Sequence, residues 1–264
     1  MCLLIVMSRL VPDWPLIVAA NRDERYERPT AALGPLPSLG PRTLGGTDLL
    51  AGGTWLAVNE AGVIAGLTNK PSPEGRDPTK RSRGDIPLAL TSTDSAASAV
   101  ASFETTFKPG ERNPCWALVG DRRSLFYLDL TLPDAIRTVE LPPGLYVLEN
   151  RALGDPSAKV EHVRRAMGRA STGTGDVPGV LRAVLEDHTV TSPAPEDTEE
   201  ARRLAQMSCC CVHAPAYGTR SSMLACDPLS PIAEPEVWAS DGPSCVNPLR
   251  MARFEAQGPA ERRQ

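Results

Sequence analysis

Short apolar runs, broken by turn residues at close intervals, set the pattern of this chain from its first residues. Leu3 to Met7 and Leu16 to Ala20 are rich in Leu, Ile, Val and Ala and are separated by Val11-Pro12-Asp13-Trp14-Pro15. They predict two paired strands buried on both faces. Thr54 to Asn59 and Val63 to Leu67, joined by Asn59-Glu60-Ala61-Gly62, predict a hairpin, as do Cys115 to Val119 and Ser124 to Leu130 across Gly120-Asp121-Arg122-Arg123. Gly144 to Leu148, Met207 to His213, Ser221 to Cys226 and Glu236 to Ala239 read as further strands. The period changes in three places. Ser92 to Phe103 opens on Asp and Ser and then repeats apolar residues at helical spacing; Asp155-Pro156 opens a helix through Ala170 with Val160, Val163 and Met167 on one stripe; Val177 to Glu186 gives another. The segments 28–50 and 70–85, rich in Pro, Gly, Thr and charge, read as exposed loops. Strands that come in hairpins at both ends, with helices grouped between them, predict an α+β fold with antiparallel sheets instead of a doubly wound parallel one.

Bulk properties narrow the picture further. A chain of 264 residues without internal repeats predicts one domain over residues 1–252 followed by a frayed tail, 253–264. The 26 prolines and 21 glycines predict many turns and few long helices. Net charge is −4, and the basic runs 76–83 and 250–263 are interleaved with Pro, Asp and Glu, so they read as solvated loop and tail and no nucleic-acid partner is expected. The apolar start lacks a basic leader and is interrupted by Ser8-Arg9, so neither a secretory signal nor a membrane span is expected and the protein is expected in the cytoplasm. Seven cysteines without a CxxC pair predict reduced thiols, most of them small buried residues. Oligomeric state leaves no trace in the pattern.

One cysteine has a different context. Cys2 follows the initiator Met1, whose removal is favoured by a small second side chain, so the mature chain can begin with a cysteine carrying a free α-amine. The thiol and its base then share a residue: an α-amine titrates at roughly 7.7–8.0 and a thiol at about 8.5, so the amine can accept the thiol proton near neutrality and leave a thiolate nucleophile.

The segments MCLLIV, AANRDE, GGTWLAVNEAGVIAGLTN, YVLEN and YGTRSS follow one another over almost the whole chain. In that order they resemble the NRDE family, also called the transport and Golgi organisation protein 2 family, named for Asn21-Arg22-Asp23-Glu24. That family in turn resembles the N-terminal nucleophile hydrolases, above all the branch of penicillin V acylase and conjugated bile acid hydrolase. The resemblance implies a four-layer αββα sandwich, no cofactor and no catalytic metal, with Cys2 as nucleophile and Asp23 orienting its ammonium. It implies an oxyanion contact from Asn69, matched with one residue inserted and with Thr68 as rival, a second Asn at Asn150, and a late arginine, Arg220, beside the thiol. Asn21, Arg22 and Thr68 are the candidates for contacts to substrate. The acylases place an arginine before the Asn, where this chain has Ala20. Arg22 is then expected to point away from Asn21 and Asp23, with Glu24 or Glu60 as partner.

Two functions of different class fit this reading. The first is hydrolysis or acyl transfer on a small linear amide or thioester through an S-acyl Cys2. The second, implied by the eukaryotic relatives, is non-catalytic binding or trafficking of haem or a lipid ligand. Other constellations are weaker. Cys209, Cys211 and His213 alternate along a predicted strand in the manner of a metal or haem contact, but a fourth ligand is not evident and buried core cysteines are the plainer reading. His162 and His188 read as solvent-facing or capping residues. Gly45-Gly46 and Gly52-Gly53-Thr54 lack the strand-to-helix setting of a phosphate loop.

Overall fold

Alternation along each strand divides its side chains between two cores, and that division builds the layers. The computed structural model describes residues 2–170, 176–194 and 198–254. Strand β1 (Leu3–Val11) pairs with β2 (Trp14–Arg25), which runs on past Ala20, so that the Asn-Arg-Asp-Glu signature lies inside a paired strand and not beyond its end. Strands β3 (Thr30–Leu36) and β4 (Thr43–Asp48) occupy the segment expected as a surface loop. Their Gly and Pro content disguises them for two physical reasons. A Cβ on Gly45 would meet Leu36 Cδ1 at 2.5 Å, and one on Gly46 would meet the Trp55 ring at 2.2 Å. Strand β3 is at the sheet edge, where Pro35 costs little.

Strands β5 (Leu56–Asn59) and β6 (Ile64–Asn69) form the predicted hairpin. Helix α1 (Asp85–Leu90) follows, then α2 (Ala96–Thr106), whose N-cap Ser95 accepts the Ser98 N–H. Strands β7 (Cys115–Gly120), β8 (Leu125–Leu130), β9 (Arg137–Glu140) and β10 (Gly144–Leu148) lead to helices α3 (Ala158–Ala170), α4 (Val177–Leu185) and α5 (Glu199–Gln206). The chain returns through β11 (His213–Ala214), β12 (Tyr217–Asp227), β13 (Glu236–Ala239) and β14 (Arg250–Ala252). Met207 to His213 is not the strand its apolar pattern predicts. Residues 207–211 turn back from α5, and Cys209, Cys210 and Cys211 are apolar because they are buried, not because they join a ladder.

Two antiparallel sheets result, one in the order β10-β1-β2-β12-β13-β14 with β11 against β12, the other in the order β3 through β9. Leu4, Val6, Leu16 and Val18 of the first sheet meet Leu56, Val58, Ile64 and Leu118 of the second. The opposite face of the first, with Leu3, Ile5, Ile17 and Ala19, is covered by Val163, Met167, Leu181 and Leu185 of α3 and α4. Val63, Ala65, Ala117 and Val119 of the second are covered by Ile86, Leu90, Ala99 and Phe103 of α1 and α2. The order is helix, sheet, sheet, helix, an α+β sandwich. Phe254 packs into the core between the sheets; residues 255–264 of the expected tail lie outside the described residues. No described helix is long and apolar enough to cross a membrane.

At the end of β12, Asp227 is fully buried and its Oδ1 accepts a hydrogen bond from Arg122 Nη2 at 3.0 Å, while Oδ2 has no partner. Burial raises its pKa from 3.8 to about 7, with Arg122 pulling the other way. An acid raised in the folded state contributes stability that is present below the unfolded value and lost as pH rises through the folded one. Melting temperature is therefore expected to fall between pH 4 and 8 more steeply in the native chain than in Asp227→Asn, as thermal denaturation across that range will measure; equal slopes would remove Asp227 as the cause.

Candidate active site

Register brings the candidate residues together. In the β1–β2 pair Leu3 faces Asn21, and in the β1–β10 pair Leu4 faces Leu148, so continuing both ladders sets Cys2 between Arg22 on one side and Asn150 on the other. Cys2 N–H donates to Asn150 Oδ1 at 2.9 Å, and Asn150 Nδ2 donates to the Asn69 carbonyl at the end of β6. The donor on one side and the acceptor on the other fix the orientation of that amide. A third ladder pairs Thr219 of β12 with Asp23. Thr219 Oγ1 donates to Asp23 Oδ1 at 2.7 Å and accepts the Val212 N–H at 2.9 Å.

Asp23 is 4% exposed, and its Oδ2 is buried without a partner. Burial raises its pKa; Lys159, the Thr219 hydroxyl and Arg22 work in the opposite direction. Lys159 is itself buried, with Nζ donating to the Met207 carbonyl at 3.0 Å. The sequence holds a signal for it: Lys159 leads Val163 and Met167 at intervals of four on the buried stripe of α3, and a lysine in such a place needs a partner.

Cys2 is half-buried and opens, with Arg22, Asp23, Trp55 and Asn69, into a cavity of about 760 Å³. Burial raises the thiol pKa; the charge of Asp23 adds to the rise, while the Asp23 backbone N–H and the Arg22 guanidinium oppose it. Arg22 shares a strand face with Ala20, two residues before it, so a cation displaced by two positions returns to the side of the sheet on which Cys2 lies. Its partners are neither Glu24 nor Glu60. Nη1 donates to Thr30 Oγ1 at 3.1 Å, Nη2 lies 3.8 Å from Asp48 Oδ2, and the guanidinium stacks 4.4 Å from the Trp55 ring centroid. Glu24 instead faces Arg28, and Glu60 pairs with Arg42. Burial alone would raise Asp48, but hydrogen bonds from Arg28 and from the Ala51 and Leu50 N–H groups bring it below the usual carboxylate range. Asp48 therefore stays an anion fit to hold Arg22. In Arg22→Ala the pH midpoint for alkylation of Cys2 by iodoacetamide is expected to move upward, because one stabiliser of the thiolate is gone; an unchanged midpoint in a folded variant refutes that role.

Other expected contacts lie elsewhere. Asn21 is 1% exposed and does not line the cavity: Nδ2 donates to the Leu185 and Cys210 carbonyls at 2.8 and 2.9 Å, and Oδ1 accepts from Ser222 Oγ at 2.6 Å. Thr68 is buried and donates to the Glu149 carbonyl at 2.8 Å, tying β6 to the end of β10, while Asn69 beside it lines the cavity. Arg220 occupies the bulge where β12 shifts register between Thr219 and Ser221; it donates to the Tyr26 carbonyl and is not among the cavity residues. Besides Arg22 and Arg25 of β2, the cations that line the cavity, Arg28, Arg76, Arg81 and Arg83, come from segments read as exposed loops. Among the described residues the single side-chain cluster with metal-ligand spacing, His188, Cys211, His213 and Cys245, lies outside the cavity.

Comparison with known proteins adds three findings. The sequence model of the family described as Transport and Golgi organisation 2 matches residues 1–227. The human protein named Transport and Golgi organization protein 2 homolog is 30% identical over 229 residues, 79% of this chain and 80% of its own, and the Bos taurus homolog is 29% identical over 224 residues, 78% and 80%. The fold is similar to that of conjugated bile acid hydrolase from Clostridium perfringens, with a TM-score of 0.52, 11% identity and 97% of each chain covered. It is also similar to the N-acylethanolamine-hydrolyzing acid amidase ortholog of Caenorhabditis elegans, with a TM-score of 0.53, 15% identity, and 84% and 92% covered.

Proposed function

This chain belongs to the Transport and Golgi organisation 2 family, and from that premise we propose that it is a cysteine amidohydrolase or acyltransferase whose nucleophile is Cys2 after removal of Met1. The single observation that carries this reading is the buried, unpartnered Oδ2 of Asp23 next to a thiol that opens into a cavity. A buried carboxylate oxygen without a donor is costly, and the α-ammonium of a trimmed Cys2 is a donor of the right charge for it. The structural neighbours, one named as a hydrolase of conjugated bile acid and one as an acid amidase, support the same direction.

In the reaction, the Cys2 amine takes the thiol proton and the sulfur attacks the acyl carbon. Asn69 and the residues around it serve the oxyanion, each such donor contributing about 3–4 kcal/mol. The carbon–nitrogen or carbon–sulfur bond then breaks, the ammonium returns its proton to the leaving amine or thiol, and Cys2 is left as a thioester. Water, giving a proton to the same amine, attacks that thioester and releases the acid and the free thiol. For substrate, the reading favours an acyl compound with an anionic group: Arg83 gives one N–H to the Pro114 carbonyl, and its strongest electrostatic interactions are with Cys115, Arg76, Cys2 and Arg28, none a carboxylate. The cytoplasm suits an unprotected thiol nucleophile.

The test is intact-mass measurement of the purified chain before and after incubation with anionic acyl amides and thioesters. Loss of Met1 and an acyl adduct localised to Cys2 support the proposal. A chain that retains Met1 while turning over substrate, or an adduct on another cysteine, rejects it. A Soret shift with haem that Cys2→Ala leaves unaltered, with no adduct, favours the carrier of haem or lipid instead.

A further inference from the structure

Outside the cavity, four side chains from distant parts of the sequence converge without serving the proposed reaction. Cys211 precedes β11, His213 begins it, His188 follows α4, and Cys245 lies in the segment between β13 and β14. One ligand atom from each lies within 4.8 Å of all the others. The two sulfur atoms are 3.7 Å apart; His213 Nε2 is 3.7 Å from Cys211 Sγ and 3.3 Å from Cys245 Sγ. Metal–sulfur bonds of about 2.3 Å and metal–nitrogen bonds of about 2.0–2.1 Å at tetrahedral angles set sulfur atoms ~3.8 Å apart and sulfur from nitrogen by ~3.5 Å. Cys211, His213 and Cys245 therefore already have the spacing of ligands around a small central ion, with a His188 nitrogen within 4.8 Å of each to complete the set.

The geometry points to a structural zinc site made by His188, Cys211, His213 and Cys245. Two thiolates and two imidazoles are the donor set of a closed tetrahedral zinc centre with no open position for chemistry. Haem is a poor fit, because a porphyrin fills four positions of its iron and leaves one or two to the protein. A disulfide would need the sulfur atoms at about 2.05 Å. Surrounding bonds hold the donors in place: His188 Nδ1 bonds the Cys211 carbonyl at 3.1 Å, and the Cys211 N–H donates to the Asp187 carbonyl at 2.9 Å. Access for an ion exists, since His188 and His213 are exposed while Cys211 is buried. Cys209, which alternates with Cys211 and His213 in the sequence, is not part of the set; its Sγ donates to the His188 carbonyl. Zinc at this position staples the segment before β14 to the turn after α5.

The experiment uses the full-length chain with reduced thiols, stripped by a chelator and titrated with zinc chloride. Native mass spectrometry and elemental analysis are expected to find about one zinc per chain after desalting, and cobalt(II) in its place is expected to give the absorption of a tetrahedral thiolate complex. Loss of a ligand in Cys245→Ser is expected to weaken binding by more than the ~10–100-fold that a supporting residue costs. Should that variant fold poorly, alkylation mapping of the native chain decides: zinc is expected to protect Cys211 and Cys245 while Cys2 stays reactive. No retained zinc, zinc retained with Cys211 and Cys245 unprotected, or a Cys211–Cys245 disulfide in the reduced preparation overturns the inference.

Discussion

Cys2→Ala is expected to lower acyl turnover by about 10⁴-fold or more, the scale on which losing a covalent nucleophile acts when binding and oxyanion contacts survive. Alanine is the informative replacement because it is small enough for the initiator methionine still to be removed. The variant keeps the α-amine, the Asn150 contact to the residue-2 nitrogen and the ladder beyond Leu3, and loses only the sulfur. Its melting temperature should stay close to the native value, since Cys2 is half-buried in the cavity wall and belongs to none of the hydrophobic clusters. Cys2→Ser preserves the geometry with a far weaker nucleophile and should fall between the two. Turnover measured on whichever acyl compound gives the adduct checks this. A Cys2→Ala chain that retains a tenth or so of the native rate would require another nucleophile, since transition-state stabilisation alone leaves far less.

The second large effect concerns Asn21, where the energy at stake is folding and not substrate binding. Asn21→Leu keeps the volume and removes three hydrogen bonds. The Leu185 and Cys210 carbonyls and the Ser222 hydroxyl are left without their partner beneath α4. Each abandoned buried group costs about 1–3 kcal/mol, so a loss on the order of 4 kcal/mol is expected, a large part of a typical domain's stability. Urea denaturation followed by circular dichroism measures it. A loss below about 1 kcal/mol, with a raised KM in its place, would return Asn21 to the substrate side.

How far the sequence could be read depends on how each residue reaches its place. Cys2, Asp23, Asn69 and Asn150 sit on or beside strands, where register converts short motifs into neighbours, and a motif-by-motif resemblance carries them. The hairpins and helices α2, α3 and α4 follow from periodicity in the same way, whereas α1, six residues long, is too short to show a period. Asp48 enters the cavity from the end of β4, and Arg28, Trp55 and Arg83 from connections, all on courses that depend on tertiary packing, and nothing local marks them. The glycines of β4 look like loop chemistry because the contacts that demand them, Leu36 and Trp55, come from other segments. Arg220 shows the converse hazard. Its motif matches, but a bulge turns the side chain to Tyr26, and a bulge has no signature in a string of letters. The apolar run at 207–213 reports burial faithfully and conformation wrongly, since three small buried cysteines fit a turn as well as a strand.

Because the signature tetrapeptide lies within β2, held between β1 and β12, acid and guanidinium are assigned to opposite faces by parity alone. Adding one residue between Trp14 and Asn21 would put the guanidinium where Thr219 waits to donate, and deleting one would set the carboxylate against Trp55. The connection 70–84 is under no such parity constraint, so a change of length there would reshape what the cavity admits without disturbing how Cys2 is held.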